Sequence, residues 1–113
     1  MIYYIDIDGT ICTHEVSGDY DLAKPFEDRI LRFNELYDSG NEVHYWTARG
    51  TQSGKDWIDY TKLQLSAWGV KYTTLNVGKP HYDVWIDDKA VNVSSYFNQY
   101  LMPTTFLSPT NKT

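Results

Sequence analysis

Apolar positions along the chain fall into short unbroken runs that alternate with stretches of helical spacing, the signature of an α/β protein. Residues 2 to 7, Ile2-Tyr3-Tyr4-Ile5-Asp6-Ile7, form an almost continuous β-branched and aromatic run. Such a run predicts a central strand covered on both faces of a parallel sheet. From Pro25 onward Phe26, Ile30, Phe33 and Leu36 or Tyr37 recur at helical intervals, with proline in an allowed first-turn position and Gly40 as a stop. Val43-His44-Tyr45-Trp46, ending in Thr47, predicts a second strand. A second helix is expected from about Gly54 to Trp68, carried by Trp57, Ile58, Thr61, Leu65 and Trp68 and stopped by Gly69. Residues 72 to 76 read as a third strand. After the turn Gly78-Lys79-Pro80, the run from Tyr82 to Ile86 reads as a fourth, delivering Asp87 and Asp88 at its end. Residues 89 to 99 are compatible with one short helix, Thr104 to Leu107 with a fifth, edge strand, and the polar stretch 108–113 with a frayed tail. Residues 10 to 24 have no sustained period and predict an irregular excursion, a small hairpin flap.

Length and charge narrow the picture. One hundred and thirteen residues make one domain with one core, expected here over residues 1 to 107. A net charge of −5 withholds general attraction for nucleic acid and anionic membrane, so an anionic ligand must be held locally. A single cysteine, Cys12, rules out an internal disulfide framework and a cysteine-built zinc site. With no leader-like start and no apolar run of membrane-spanning length, the expectation is a cytoplasmic protein without a membrane partner.

The chemistry concentrates at strand ends. Asp6, Asp8, Thr47, Lys79, Asp87 and Asp88 all fall at or just past a predicted strand terminus, and in a parallel sheet those termini share one edge, where α/β proteins bind ligands. Four carboxylates on one edge must be separated, protonated or neutralised by a cation, and a water-keeping oxygen site suits Mg²⁺. Lysine as a point charge and threonine as a donor suit a phosphate.

In this order the residues resemble the four motifs of the haloacid dehalogenase superfamily of phosphatases and phosphotransferases. The motifs are Ile5-Asp6-Ile7-Asp8-Gly9-Thr10, Trp46-Thr47-Ala48-Arg49-Gly50, Gly78-Lys79-Pro80 and Trp85-Ile86-Asp87-Asp88. The resemblance spans residues 2 to 88. It implies a three-layer Rossmann-like α/β domain, with a central parallel sheet of about four to five strands flanked by helices. It also implies Asp6 as nucleophile, forming an aspartyl-phosphate, and Asp8 as acid/base. Thr47, Ala48, Arg49 and Lys79 would bind the substrate phosphate. Mg²⁺ would be held by Asp6, the backbone carbonyl of Asp8, and Asp87, with Asp88 as a further ligand or a holder of metal-bound water. Only about 32 residues separate Thr47 from Lys79, and the stretch after Asp8 is as short, leaving no room for a cap domain. Capless members either take large substrates that cover the open site or oligomerise so that a neighbour does.

The resemblance therefore implies a Mg²⁺-dependent phosphomonoesterase whose substrate is a sugar phosphate or another small phosphorylated metabolite. Nucleotides, polynucleotide ends and phosphoproteins remain as alternatives, and a homo-oligomer is open. Two rivals use similar residues. A signalling receiver domain needs a phosphoacceptor aspartate on its third strand, where this chain has Leu75-Asn76-Val77. A silent binding module keeps the fold without turnover.

Other residues have two readings. Arg49, two positions after Thr47, can meet a substrate anion or form a structural ion pair. His14 and the pair His81 and Tyr82 can face substrate or solvent, whereas His44 alternates into a strand and should pack. Cys12 has no partner that marks it as a nucleophile. The four tryptophans fall where core filling is the better expectation.

Overall fold

The computed structural model describes residues 1–15 and 18–101. Its elements are strand β1 (Ile2–Ile5), helix α1 (Glu27–Asp38), strand β2 (Glu42–Trp46), helix α2 (Ile58–Ala67), strand β3 (Thr74–Asn76) and helix α3 (Val93–Leu101). A 3₁₀ turn at Tyr20–Leu22 lies within the 10–24 excursion. The chain forms two compact units, Met1–Tyr82 and Asp83–Thr113, the latter described as far as Leu101.

The first unit is a parallel sheet in the order β1-β2-β3 with α1 and α2 as its crossovers. Ile2 to Ile5 pair with Glu42 to Tyr45, and His44 to Trp46 pair with Thr74 to Asn76. Ile5, Ile7, Val43 and Tyr45 are buried, with Ile30, Phe33 and Leu36 of α1 and Leu65 of α2. The expectation that β1 is covered on both faces holds for one. Ile2 and Tyr4 are each 64% exposed, and Tyr4 stacks on the His44 ring at 4.8 Å. His44 is packed, as its alternation predicts, its ring nitrogens meeting Thr74 Oγ1 at 2.5 Å and Glu42 Oε1 at 2.9 Å.

Both crossover helices end where glycine predicts. Gly40 and Gly69 have φ of +93° and +72°. The following residues close the turn, Asn41 N–H donating to Leu36 C=O and Val70 N–H to Leu65 C=O, which satisfies carbonyls that a helix end leaves open. The helix starts are later than the spacing suggests. α1 begins at Glu27, with Glu27 and Asp28 complementing the positive end of the helix dipole. α2 begins at Ile58 and not near Gly54, because residues 50 to 57 are spent on a tight loop. There Gly50 (φ +85°) lies against the Lys55 carbonyl, and Asp56 Oδ1 accepts the Ile58 N–H at 3.0 Å.

The sheet departs from the expected four to five strands: among the described residues it has three. Tyr82 to Ile86 form no strand, and Val84 and Ile86 are 74% and 92% exposed. A continuous apolar run specifies a strand only when an edge pairs with it, and this run joins no ladder. The proposed edge strand 104–107 and tail 108–113 lie outside the described residues. In the second unit α3 starts at Val93, later than residue 89, where Asn92 Oδ1 accepts the Ser94 N–H at 2.9 Å. Among the described residues no helix is long and apolar enough to cross a membrane.

Candidate functional site

Parallel pairing of β1 with β2 makes both strands leave the sheet at one edge, and the segments that follow build the site. Past Ile5 the chain bends, and the side chain of Ile7 is fully buried between the partly open Asp6 and Asp8. It then turns sharply. Ile7 C=O accepts the N–H groups of Thr10 and Ile11, and Gly9, at φ +85°, donates to Cys12 C=O at 2.8 Å. Only glycine adopts that φ without strain. The excursion that follows is the expected hairpin in its described parts. Thr13 N–H donates to Lys24 C=O, Phe26 N–H donates to Ile11 C=O, and Cys12 bridges Pro25 in antiparallel sense.

Asp6 and Lys79 form the first pair of the site. Lys79 Nζ lies 3.2 Å from Asp6 Oδ1, and about a third of the Asp6 side chain is open to solvent. Burial pushes the Asp6 carboxyl above its ordinary range, and Lys79 works against that rise. Lys79 is anchored from behind: its N–H donates to Thr47 C=O at 3.1 Å, and its own C=O accepts the Thr51 hydroxyl at 2.7 Å. The loop after β3 is thereby fastened to the loop after β2. Thr47 is buried, and its Oγ1 accepts the Arg49 N–H at 3.1 Å, which leaves the hydroxyl proton as a donor.

Asp8 and Arg49 form the second pair. Arg49 Nε donates to Asp8 Oδ2 at 2.9 Å and Nη2 to Asp8 Oδ1 at 2.8 Å, a two-point fork. The Arg49 side chain is fully buried and that of Asp8 is 16% exposed. Arg49 Nη1 donates to Thr61 Oγ1 at 3.2 Å and Gln64 Oε1 at 2.7 Å, both on α2, and the guanidinium lies 4.4 Å over the Tyr20 ring. Burial disfavours the guanidinium charge, but the bonds to Asp8 outweigh it and hold the group above its ordinary value. Of the two readings of Arg49, the geometry selects the ion pair. Four of its five donors are spent inside the fold, which leaves one for a substrate phosphate.

Cys12 packs against the same carboxylate, Sγ 3.5 Å from Asp8 Oδ1, and burial with the neighbouring Asp8 pushes its thiol up to about 12. That surrounding disfavours its thiolate, the nucleophilic form. Ala48 lines an open cleft of about 290 Å³, together with Tyr20, Gln52, Lys55, Trp57 and His81. His14 is exposed. Asp87 and Asp88 are exposed residues of the second unit. The Asp87 carboxylate accepts the Lys89 N–H at 3.1 Å and the Trp85 indole N–H at 3.4 Å, and these bonds lower it below the usual range. Among the described residues no group of three or more His, Cys, Asp or Glu side chains is arranged to hold a metal ion.

Thr61, Gln64 and Tyr20 belong to the site and were not singled out by their chemistry. One signal was present: Thr61 is a polar residue on the apolar stripe of α2, and it is fully buried.

No family model and no curated protein matches the chain. A crystal structure of a protein from Vibrio cholerae, whose description states no activity, is similar to it. The two share 28% sequence identity over 84% of this chain and 85% of that one, with a TM-score of 0.75, a likeness that extends across the α/β fold described above.

Proposed function

We propose that this protein is a phosphomonoesterase of the haloacid dehalogenase type, with Asp6 as nucleophile and Asp8 as acid/base. The observation that carries this reading is the Asp6–Lys79–Thr47 arrangement. A carboxylate just past β1 lies 3.2 Å from the Lys79 ammonium, and the Lys79 backbone N–H donates to the carbonyl of the buried Thr47 just past β2.

In the first step, from the state in which Asp8 carries a proton, an Asp6 oxygen attacks phosphorus, the bond to the ester oxygen breaks, and the departing oxygen takes its electron pair and that proton from Asp8. In the second, water attacks the aspartyl-phosphate, its proton passes to Asp8, and the bond to Asp6 breaks to release phosphate. Lys79 and the Thr47 hydroxyl offset charge on the phosphoryl oxygens as it shifts.

Mg²⁺ sites commonly use one or two carboxylates, with water and substrate phosphate completing the shell. Asp6 fits that habit, since its carboxylate is partly open and lies outside the Arg49 fork. Bound there, Mg²⁺ would supply further charge stabilisation to the phosphoryl group. The proposed substrate is a small phosphorylated metabolite, a sugar phosphate first.

The test is phosphate release from an activated aryl ester and from a panel of sugar phosphates, nucleotides and 3′-phosphorylated oligonucleotides. Activity should require Mg²⁺, disappear with EDTA and fall by orders of magnitude in Asp6→Asn. Full activity in that variant would sink the mechanism.

A further inference from the structure

Arg49 has a position and a set of partners that phosphate binding does not explain. It is the buried centre of a chain of polar contacts running from the segment past the first strand to the flap. Its fork takes both oxygens of Asp8, and Nη1 takes Thr61 and Gln64. Gln64 continues the chain: its Oε1 accepts from Arg49, and its Nε2 donates to the Tyr20 carbonyl at 2.8 Å. That carbonyl closes the 3₁₀ turn of the flap, accepting the Ala23 N–H at 3.2 Å. The Tyr20 ring covers the guanidinium at 4.4 Å and meets Trp57 edge-on at 4.8 Å.

We infer that Arg49 is a positioning residue which, through Gln64, sets the Asp8 carboxylate and the Tyr20–Leu22 turn of the flap as one unit. The inference rests on the proposed acid/base role of Asp8 for its catalytic part; the mechanical part stands on the contacts alone.

The geometry favours this over a merely structural ion pair for two reasons. A fork fixes a carboxylate in orientation as well as position, because two parallel N–H bonds define its plane, whereas a lysine could supply charge without direction. The same guanidinium also bonds two residues three apart on one helix, so its own plane is fixed by α2. Asp8 is therefore oriented by a rigid element, although it sits itself on an irregular segment past β1. Proton transfer to a leaving oxygen depends steeply on such orientation, and misplacement by about 1 Å can cost on the order of a hundredfold in rate.

Three variants test it. Arg49→Lys keeps the charge and loses the fork, Gln64→Leu cuts the link to the flap without touching Asp8, and Arg49→Ala opens a space that added guanidinium can fill. Each is assayed for phosphate release from the aryl ester with Mg²⁺, and for hydrogen exchange of the Leu22 and Ala23 amides without substrate. Arg49→Lys should lower kcat by about tenfold or more with KM within about threefold, as expected when a reacting group is misplaced. Guanidinium, at concentrations far below those that unfold the protein, should restore part of kcat to Arg49→Ala. Both Gln64→Leu and Arg49→Lys should speed exchange at Leu22 and Ala23.

A rise in KM with unchanged kcat in Arg49→Lys would show substrate binding and overturn the inference. So would unchanged exchange at Leu22 and Ala23 in both variants. If the wild type releases no phosphate from any ester, the phosphatase reading fails, and the exchange measurement still decides whether Arg49 and Gln64 hold the flap.

Discussion

The Asp8–Arg49 pair makes a sharp energetic prediction, because Arg49 is buried and nearly all of its donors point at the protein. In Arg49→Met the Asp8 carboxylate keeps its charge and loses both forked bonds, in a position where its side chain is only 16% exposed. Breaking a buried pair by removing one partner costs roughly 3–5 kcal/mol, most of it from the stranded charge. Partial exposure of Asp8 lets water recover some of that, which argues for about 3 kcal/mol. Loss of the Arg49 bonds to Thr61 and Gln64 adds about 1 kcal/mol. A cost of about 4 kcal/mol is a large part of the roughly 5–15 kcal/mol that holds a domain of this size, and corresponds to a fall in Tm of roughly 15–20 °C. Asp8→Asn should cost less, about 2 kcal/mol, since the amide oxygen still accepts one bond and the stranded guanidinium keeps its α2 partners. The double variant strands neither charge. It should therefore cost less than the sum of the singles by about 2 kcal/mol. Urea unfolding followed by tryptophan fluorescence, in EDTA, measures all four corners of the cycle. Costs that add to within about 0.5 kcal/mol would refute the reasoning, because they would mean that the two side chains do not depend on each other.

Other perturbations follow from single features of the fold. Tyr45 is fully buried and its hydroxyl has no hydrogen-bond partner, so Tyr45→Phe should leave stability unchanged or raise it by up to about 1 kcal/mol in a urea melt. A loss of that size would show the hydroxyl to be satisfied. Gly50→Ala meets both a positive φ and the Lys55 carbonyl, whereas Gly54→Ala meets a positive φ and open space. The first should cost more than about 2 kcal/mol and the second about 1 kcal/mol, and equal melting temperatures would remove the close approach as a cause. The Asp6 carboxyl is raised by burial, so between its unfolded and folded values the native state binds more proton than the unfolded state. Stability contributed at Asp6 is thus fully present below the ordinary carboxylate range and lost as pH rises through the raised value. Measured in EDTA, the stability of wild type relative to Asp6→Asn should fall from acid to neutral pH. A rise over that interval would reverse the assigned sign.

What the sequence made legible, and what it left open, separates along a physical line. Helix ends at Gly40 and Gly69 were readable because a positive φ is a local demand that glycine meets. The convergence of Asp6 with Lys79 was readable because strand ends in a parallel sheet share an edge whatever the side chains do next. Two other features depended on non-local partners. The run from Tyr82 to Ile86 has the composition of a buried strand, but a strand is a relation between two segments, and composition reports only one of them. Arg49 stood two residues past Thr47 with a substrate anion and an ion pair both open, and its partner Asp8 lies 41 residues earlier. No periodicity joins positions so far apart. The readable trace of that pair was Thr61, a hydroxyl on the apolar stripe of α2. A buried polar group there needs a partner, and here Thr61 Oγ1 accepts from Arg49 Nη1. The chain runs from β2 through Arg49 and returns through α2, which brings the guanidinium to that hydroxyl. A polar residue that interrupts a buried helical stripe next to a strand-end arginine is thus a sequence sign that the arginine is turned inward, toward the helix and the carboxylate beyond it.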